Sequence, residues 1–163
     1  MSNRYYGPKL DGLDLNKPFC IGFKANGGFI KVTYSNIEDG DTAYFNIDHY
    51  SESVRFNMID ALPKDTYLGE LAKNYLEEVL KNAKEIILES DPYNDFRDLS
   101  KGHRILAWVW ADGKLTNYLL VRNGYAKVAY IQNENMKYID IMKNAEKKAK
   151  KEKLGIHNVS NMF

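Results

Sequence analysis

Two arginines and a group of aspartates in this chain have the types and spacing needed to hold a divalent cation against a phosphate. Residues 39–42 read D-G-D-T, Arg55 follows fourteen positions after Asp41, and Asp60 follows five after that. Arg104 comes later, in H-R-I-L-A-W-V-W, and Tyr130 ends the string V-R-N-G-Y-A-K-V-A-Y. A hard cation such as Ca²⁺ takes oxygen ligands, which paired carboxylates, a carbonyl and water supply. A guanidinium donates paired hydrogen bonds to phosphate oxygens in a geometry that an ammonium does not reproduce. Alone, Asp39-Gly40 is a common hairpin pair; beside Arg55, Asp60 and Arg104 it reads as part of a phosphate site. His49 and His157 have no partners at metal-ligand spacing. Asp91, Asp95 and Asp98 lack the glycine and glutamate of an EF-hand loop and read as a solvated loop.

These residues need a scaffold, and the hydrophobic period supplies one. Ile30, Val32 and Tyr34 alternate, Tyr44 and Asn46 do so less cleanly, and Val54, Phe56 and Met58 follow, bounded by turn residues. That pattern predicts a three-strand meander. Leu71, Ala72, Tyr75, Leu76, Val79, Leu80 and Ala83 then repeat at helical spacing. Ile86–Leu88 and Ile105–Trp110 are short apolar strands, the second closed by Ala111-Asp112-Gly113. Residues 115–123 read as a short helix with Gly124 placed for a left-handed cap. Tyr138, Ile139, Met142, Ala145 and Ala149 give the last helix a buried stripe. The pattern predicts an α+β fold: a five-stranded OB-type β-barrel with three α-helices near 69–83, 115–123 and 136–153. A further strand is expected at Phe19–Phe23.

Placed in that order, the motifs resemble the staphylococcal-nuclease-like (thermonuclease) family over residues 29–157. The resemblance is carried by D-G-D-T, R-x-x-x-x-D at 55–60, Arg104 before the run I-L-A, A-D-G at 111–113, L-V-R-N-G-Y-A-K-V-A-Y at 120–130 and A-E-K-K-A-K-K-E-K-L-G-I at 145–156. It leaves residues 1–28 as an N-terminal extension and 158–163 as a tail. It implies an OB barrel and Ca²⁺-dependent cleavage of DNA and RNA. Residue by residue, it implies that Asp41 and Asp60 are the calcium carboxylates and that Ala61 offers a backbone carbonyl. It makes Arg55 and Arg104 the phosphate arginines, Lys101 a lysine near the nucleotide and Tyr130 a wall of the nucleotide pocket.

Three departures bear on chemistry. The family's D-T-P-E is D-A-L-P-K here, with one extra residue, so the acid position holds Lys64. The family's Y-G-R is G-H-R at 102–104, and its second pocket tyrosine is Gln132. A general base contributes about 10²–10⁴-fold to such a reaction. Exchanging an acid for Lys64 also alters local charge by two units, which predicts weak Ca²⁺ binding and a lysine that helps hold the anion. The expected function is therefore binding of the phosphate groups of a nucleotide or single-stranded nucleic acid, with impaired or absent hydrolysis, including sequestration of a signalling nucleotide. One alternative is an active Ca²⁺-dependent endonuclease whose base has moved to Asp65 or His103. Another is a protein-interaction OB module with a vestigial polar cluster.

Composition sets the outer bounds. At 163 residues, 44% hydrophobic and 28% charged, the chain has the make-up of one globular domain with a real core. The net charge of +1 does not advertise nucleic acid. The lysines at 143, 147, 148, 150, 151 and 153 read as the solvated face of the last helix. Tyr5, Tyr6, Tyr67 and Tyr93 have the side chain for stacking on bases, though such tyrosines more often cover core edges. No apolar run reaches the ~18–20 residues of a membrane span. A single cysteine, Cys20, and a start without an apolar signal region point to the cytoplasm.

Overall fold

The structure, a computed structural model, describes residues 28–95, 97–98 and 102–158. The strand expected at Phe19–Phe23 lies outside them. Nine strands are described: β1 Phe29–Asp39, β2 Thr42–Ile47, β3 Tyr50–Phe56, β4 Ile59–Ala61, β5 Ile86–Glu89, β6 Arg97–Asp98, β7 Arg104–Ala111, β8 Lys114–Leu115 and β9 Ala126–Val128. The helices are α1 Tyr67–Asn82, α2 Thr116–Arg122 and α3 Ile139–Lys151, followed by a 3₁₀ turn at Gly155–His157. Among the described residues no helix is long and apolar enough to cross a membrane.

The first three strands form the meander that their alternation predicts, and β1 continues onto β5 and β5 onto β7, all antiparallel. The sheet closes where β3 runs parallel to β7, pairing Val54 with Ile105, Arg55 with Leu106 and Phe56 with Ala107. Five strands thus make a closed barrel of OB type with three helices around it. Its interior is filled by Ile30, Val32, Phe45, Val54, Phe56, Leu88, Ile105 and Val109, all buried. Leu76 and Leu80 of α1 complete that core from one side, while Leu71 at the stripe's margin stays exposed. Thr66 caps α1 by accepting a hydrogen bond from the Gly69 amide at 3.1 Å.

The ends of the elements obey local chemistry. Gly124 has φ +79°; its amide bonds to Val121, and that of Tyr125 to Leu120, the paired bonds of a Schellman stop. Asp112 and Gly113 both have positive φ, as a two-residue hairpin between β7 and β8 requires. Polar groups inside the fold are tied in pairs. Asn117 accepts from the Val109 amide and donates to the Asn57 carbonyl, fastening α2 to β7 and to the β3–β4 turn. Asp91 is buried, contrary to the solvated loop its surroundings suggest. It accepts the Trp108 indole N–H at 2.9 Å and the Lys137 amide at 2.8 Å. Glu89 does the same for the Trp110 indole and the Tyr138 hydroxyl. Burying those carboxylates is tolerable because each has several donors.

Gly40 sits where α1, β4 and the β1–β2 turn meet. A Cβ there would lie 2.7 Å from the Ala72 Cβ and 2.8 Å from the Ala61 Cβ. Gly40→Ala should therefore cost about 1–3 kcal/mol through overpacking. A lowered midpoint in thermal or denaturant unfolding checks this, and an unchanged midpoint refutes it.

Candidate nuclease site

The barrel closure places the two arginines. Val54 and Ile105 point into the core, so by the two-residue alternation of strands Arg55, Leu106 and Arg104 share the opposite face. That face is one wall of a cavity of about 480 Å³. Asp39 and Asp41 reach it from the β1–β2 turn. Asp60, Ala61, Leu62 and Pro63 reach it from β4 and the chain beyond. The short pairing of β4 with β9 sets Asp60 opposite Lys127, whose ammonium is 4.0 Å from its carboxylate. Tyr130 follows β9 and holds φ at +53°. Its exposed ring lies 5.4 Å from the Arg55 guanidinium. A tyrosine held in the left-handed region at a cavity mouth is the kind of strain that surrounding structure must enforce.

Hydrogen bonds fix the charged groups. Asp41 is 6% exposed; one carboxylate oxygen accepts the Thr42 hydroxyl and the other the Ala61 amide, each at 2.9 Å. Arg55 donates to the carbonyls of Phe56 and Ile59, at 2.9 and 2.7 Å. The same guanidinium is 3.4 Å from Asp41 and 3.9 Å from Asp60, bridging the two carboxylates. Arg104 pairs with Asp98 at 2.7 Å, and its buried Nε has no hydrogen-bond partner among the described residues. Burial pushes the Asp39 carboxyl up to about 6, and the hydrogen bond to Asp41 and that neighbour's charge act in the same direction. The backbone N–H of Asp41 and the Arg55 charge only partly offset this.

The cavity brings together Asp41, Arg55, Asp60, Ala61, Arg104 and Tyr130, all singled out in the sequence, and Gln132 with them. Lys64, Asp65 and His103 lie outside its wall. Lys64 turns away to an exposed ion pair with Glu38 at 3.0 Å, which raises its pKa. Asp65 is exposed on the loop before α1. His103 is exposed, with φ +59°, and its carbonyl accepts from Arg97. Tyr67 and Tyr93 are exposed away from the wall, and Lys101 lies outside the described residues. Sequence reasoning missed Asn57, Asn94 and Asp98 as lining residues. Asp39 carried a signal, as the first carboxylate of D-G-D-T; Asn57 and Asn94 meet only through a fold-dependent contact, Asn94 Nδ2 to Asn57 Oδ1 at 3.0 Å.

The family model described as Staphylococcal nuclease homologue matches residues 43–158. The chain belongs to the staphylococcal nuclease family. Among curated relatives, the SPbeta prophage-derived endonuclease YokF of Bacillus subtilis (strain 168) is 37% identical over 133 residues, 78% of this chain and 44% of the relative. Endonuclease YncB of the same organism is 34% identical over 137 residues, 80% of this chain and 63% of the relative. A thermonuclease of Staphylococcus intermedius is 31% identical over 125 residues, 72% of this chain and 70% of the relative. The chain thus spans less than two thirds of the two Bacillus endonucleases. The family match takes in the cavity's residues from Arg55 to Gln132, and Asp39 and Asp41 just precede it.

Asp39 yields a prediction on stability. Its carboxyl binds a proton more tightly folded than unfolded, so its contribution is present below about pH 4 and is lost as pH rises through about 6. With divalent ions chelated, the protein should lose stability across that window. Asp39→Asn should flatten the loss and raise stability at pH 7, as unfolding midpoints measured from pH 4 to 7 will show.

Proposed function

We propose that this domain binds a phosphodiester or terminal phosphate of nucleic acid in the cavity, with the anion on Arg55 and Arg104, and hydrolyses it slowly. The observation that supports this reading is the meeting of both guanidinium groups and the aspartates on one cavity wall. Asp41, Asp60 and the Ala61 carbonyl form an all-oxygen donor set that suits a hard cation such as Ca²⁺. Among the described residues no three His, Cys, Asp or Glu side chains converge closely enough to cage an ion themselves. The set fits an ion that keeps much of its shell as water and is held weakly. When bound, such an ion would neutralise phosphoryl oxygens and the carboxylates around them.

The charge on the wall makes that neutralisation necessary. Asp39, Asp41, Asp60 and Asp98 line that wall with Arg55 and Arg104, a formal charge of −2 when all are ionised, and Lys127 approaches Asp60 at 4.0 Å. Lys64 does not relieve this, because its ammonium is spent on Glu38. The sequence-based expectation that Lys64 substitutes for a cation is replaced: anion binding should need the ion. Hydrolysis needs a proton acceptor for the attacking water, and the wall after Asp60 offers only Ala61, Leu62 and Pro63.

The second reading is an active nuclease, favoured by Asp39. With Asp41 and Asp60 engaged by an ion and Asp98 by Arg104, Asp39 is the wall carboxylate left to accept a proton. Retained binding with cleavage abolished in Asp39→Asn would establish that reading.

Titration calorimetry with a short single-stranded oligonucleotide in Ca²⁺ should show affinity that falls at least about tenfold on chelation. Arg104→Ala should cost about 1.5–3 kcal/mol of binding, the range for a hydrogen bond to a charged group. Affinity that is indifferent to both changes removes the phosphate site.

The position of the missing acid can be tested directly. Leu62 and Pro63 face the cavity and Lys64 does not. Leu62→Glu or Pro63→Glu should therefore raise Ca²⁺-dependent cleavage of single-stranded DNA about tenfold or more, and Lys64→Glu should not. The reverse ranking in a fluorescent cleavage assay would refute this placement.

A further inference from the structure

We propose that Asp98 is a built-in occupant of the Arg104 guanidinium, and that an incoming phosphate binds there by displacing it. The proposal rests on the phosphate reading of Arg104 given above. It makes Asp98 a residue that sets the affinity and anion selectivity of the site.

The two phosphate arginines differ in how they are held. Arg55 donates to the Phe56 and Ile59 carbonyls, backbone groups that cannot swing away, and its contacts with the Asp41 and Asp60 carboxylates are longer, at 3.4 and 3.9 Å. Arg104 instead donates to a side-chain carboxylate, Asp98 Oδ2, at 2.7 Å. Both side chains of that pair are one-fifth exposed and both line the cavity. The contact therefore sits where a phosphate on Arg104 would have to sit.

The backbone builds this contact. β6 is two residues long and pairs Asp98 directly with Arg104. Its other residue, Arg97, anchors the strand outside the cavity, through Glu52 at 2.9 Å and the His103 carbonyl at 2.8 Å. Alternation then turns Asp98 toward the cavity.

A carboxylate offers a guanidinium fork the same paired oxygens as a phosphate, with less charge than a phosphate monoester. Exchange of one for the other keeps the Arg104 Nη2 paired throughout. An anion that binds must outcompete Asp98, which a multiply charged phosphate beside a cation does and a simple carboxylate or halide does not. After displacement the Asp98 carboxylate is no longer in contact with Arg104, so its charge no longer cancels that of the arginine.

The test is titration calorimetry with adenosine 3′,5′-bisphosphate in Ca²⁺ on wild type, Asp98→Asn, Arg104→Ala and the double variant. Asp98→Asn should tighten binding about two- to fivefold, the scale of a partly exposed ion pair. The gain should disappear when Arg104 is also alanine, which a merely structural role for Asp98 would not produce. Asp98→Ser, checked by its unfolding midpoint, serves if the asparagine variant does not fold. Binding that is unchanged or weakened in a folded Asp98 variant, or a gain that survives without Arg104, overturns the proposal. Wild-type affinity matched by both Arg55→Ala and Arg104→Ala would instead sink the phosphate reading itself.

Discussion

Everything at the candidate site depends on the parallel pairing of β3 with β7. Five antiparallel-connected strands leave two free edges, and this pairing removes both by joining them. Its register is held from the inside: a slip of one residue would expel Val54 and Ile105 from the core and draw Arg55 into it. Burial of apolar side chains thus fixes the relative height of the two arginines. The spacing of charged groups across the cavity is a by-product of hydrophobic packing on the other side of the same strands.

β7 can serve that closure because it is held along its length. It pairs with β3 and β6 near its start and with β5 and β8 towards its end. Its two tryptophans are locked by buried carboxylates, Trp108 by Asp91 and Trp110 by Glu89, and Tyr138 packs edge-on against both rings. Removing one carboxylate would leave an indole N–H buried without a partner, which is more costly than the lost bond alone. The polar network therefore contributes a unique strand position as much as it contributes stability.

The barrel was legible in the sequence because its long strands and helices repeat at clear periods. α1 shows this best: Ala72, Leu76 and Leu80 fall on one stripe and are buried. The site was legible where a motif spaces its residues over successive neighbouring elements, as with Asp41, Arg55 and Asp60. It was illegible where two residues make an element. β6 is too short to display alternation, yet it carries Asp98 and sets it against Arg104. Asp91 was misread for a related reason, since its indole partner stands seventeen positions away and no local pattern announces it. Lys64 was placed correctly in order but not in direction, because the Glu38 that captures it belongs to a distant strand.

The pairing of β4 with β9 has a consequence for assembly during synthesis. All five barrel strands lie between Phe29 and Ala111, and they have emerged before residues 126–128 are made. The barrel, with its arginine face, can close while Asp60 still lacks the strand that holds it. β9 in turn leans on α3, where Glu146 accepts the Val128 amide at 2.6 Å. The segment that follows the barrel strands in the chain is thus the part that completes the acidic side of the cavity.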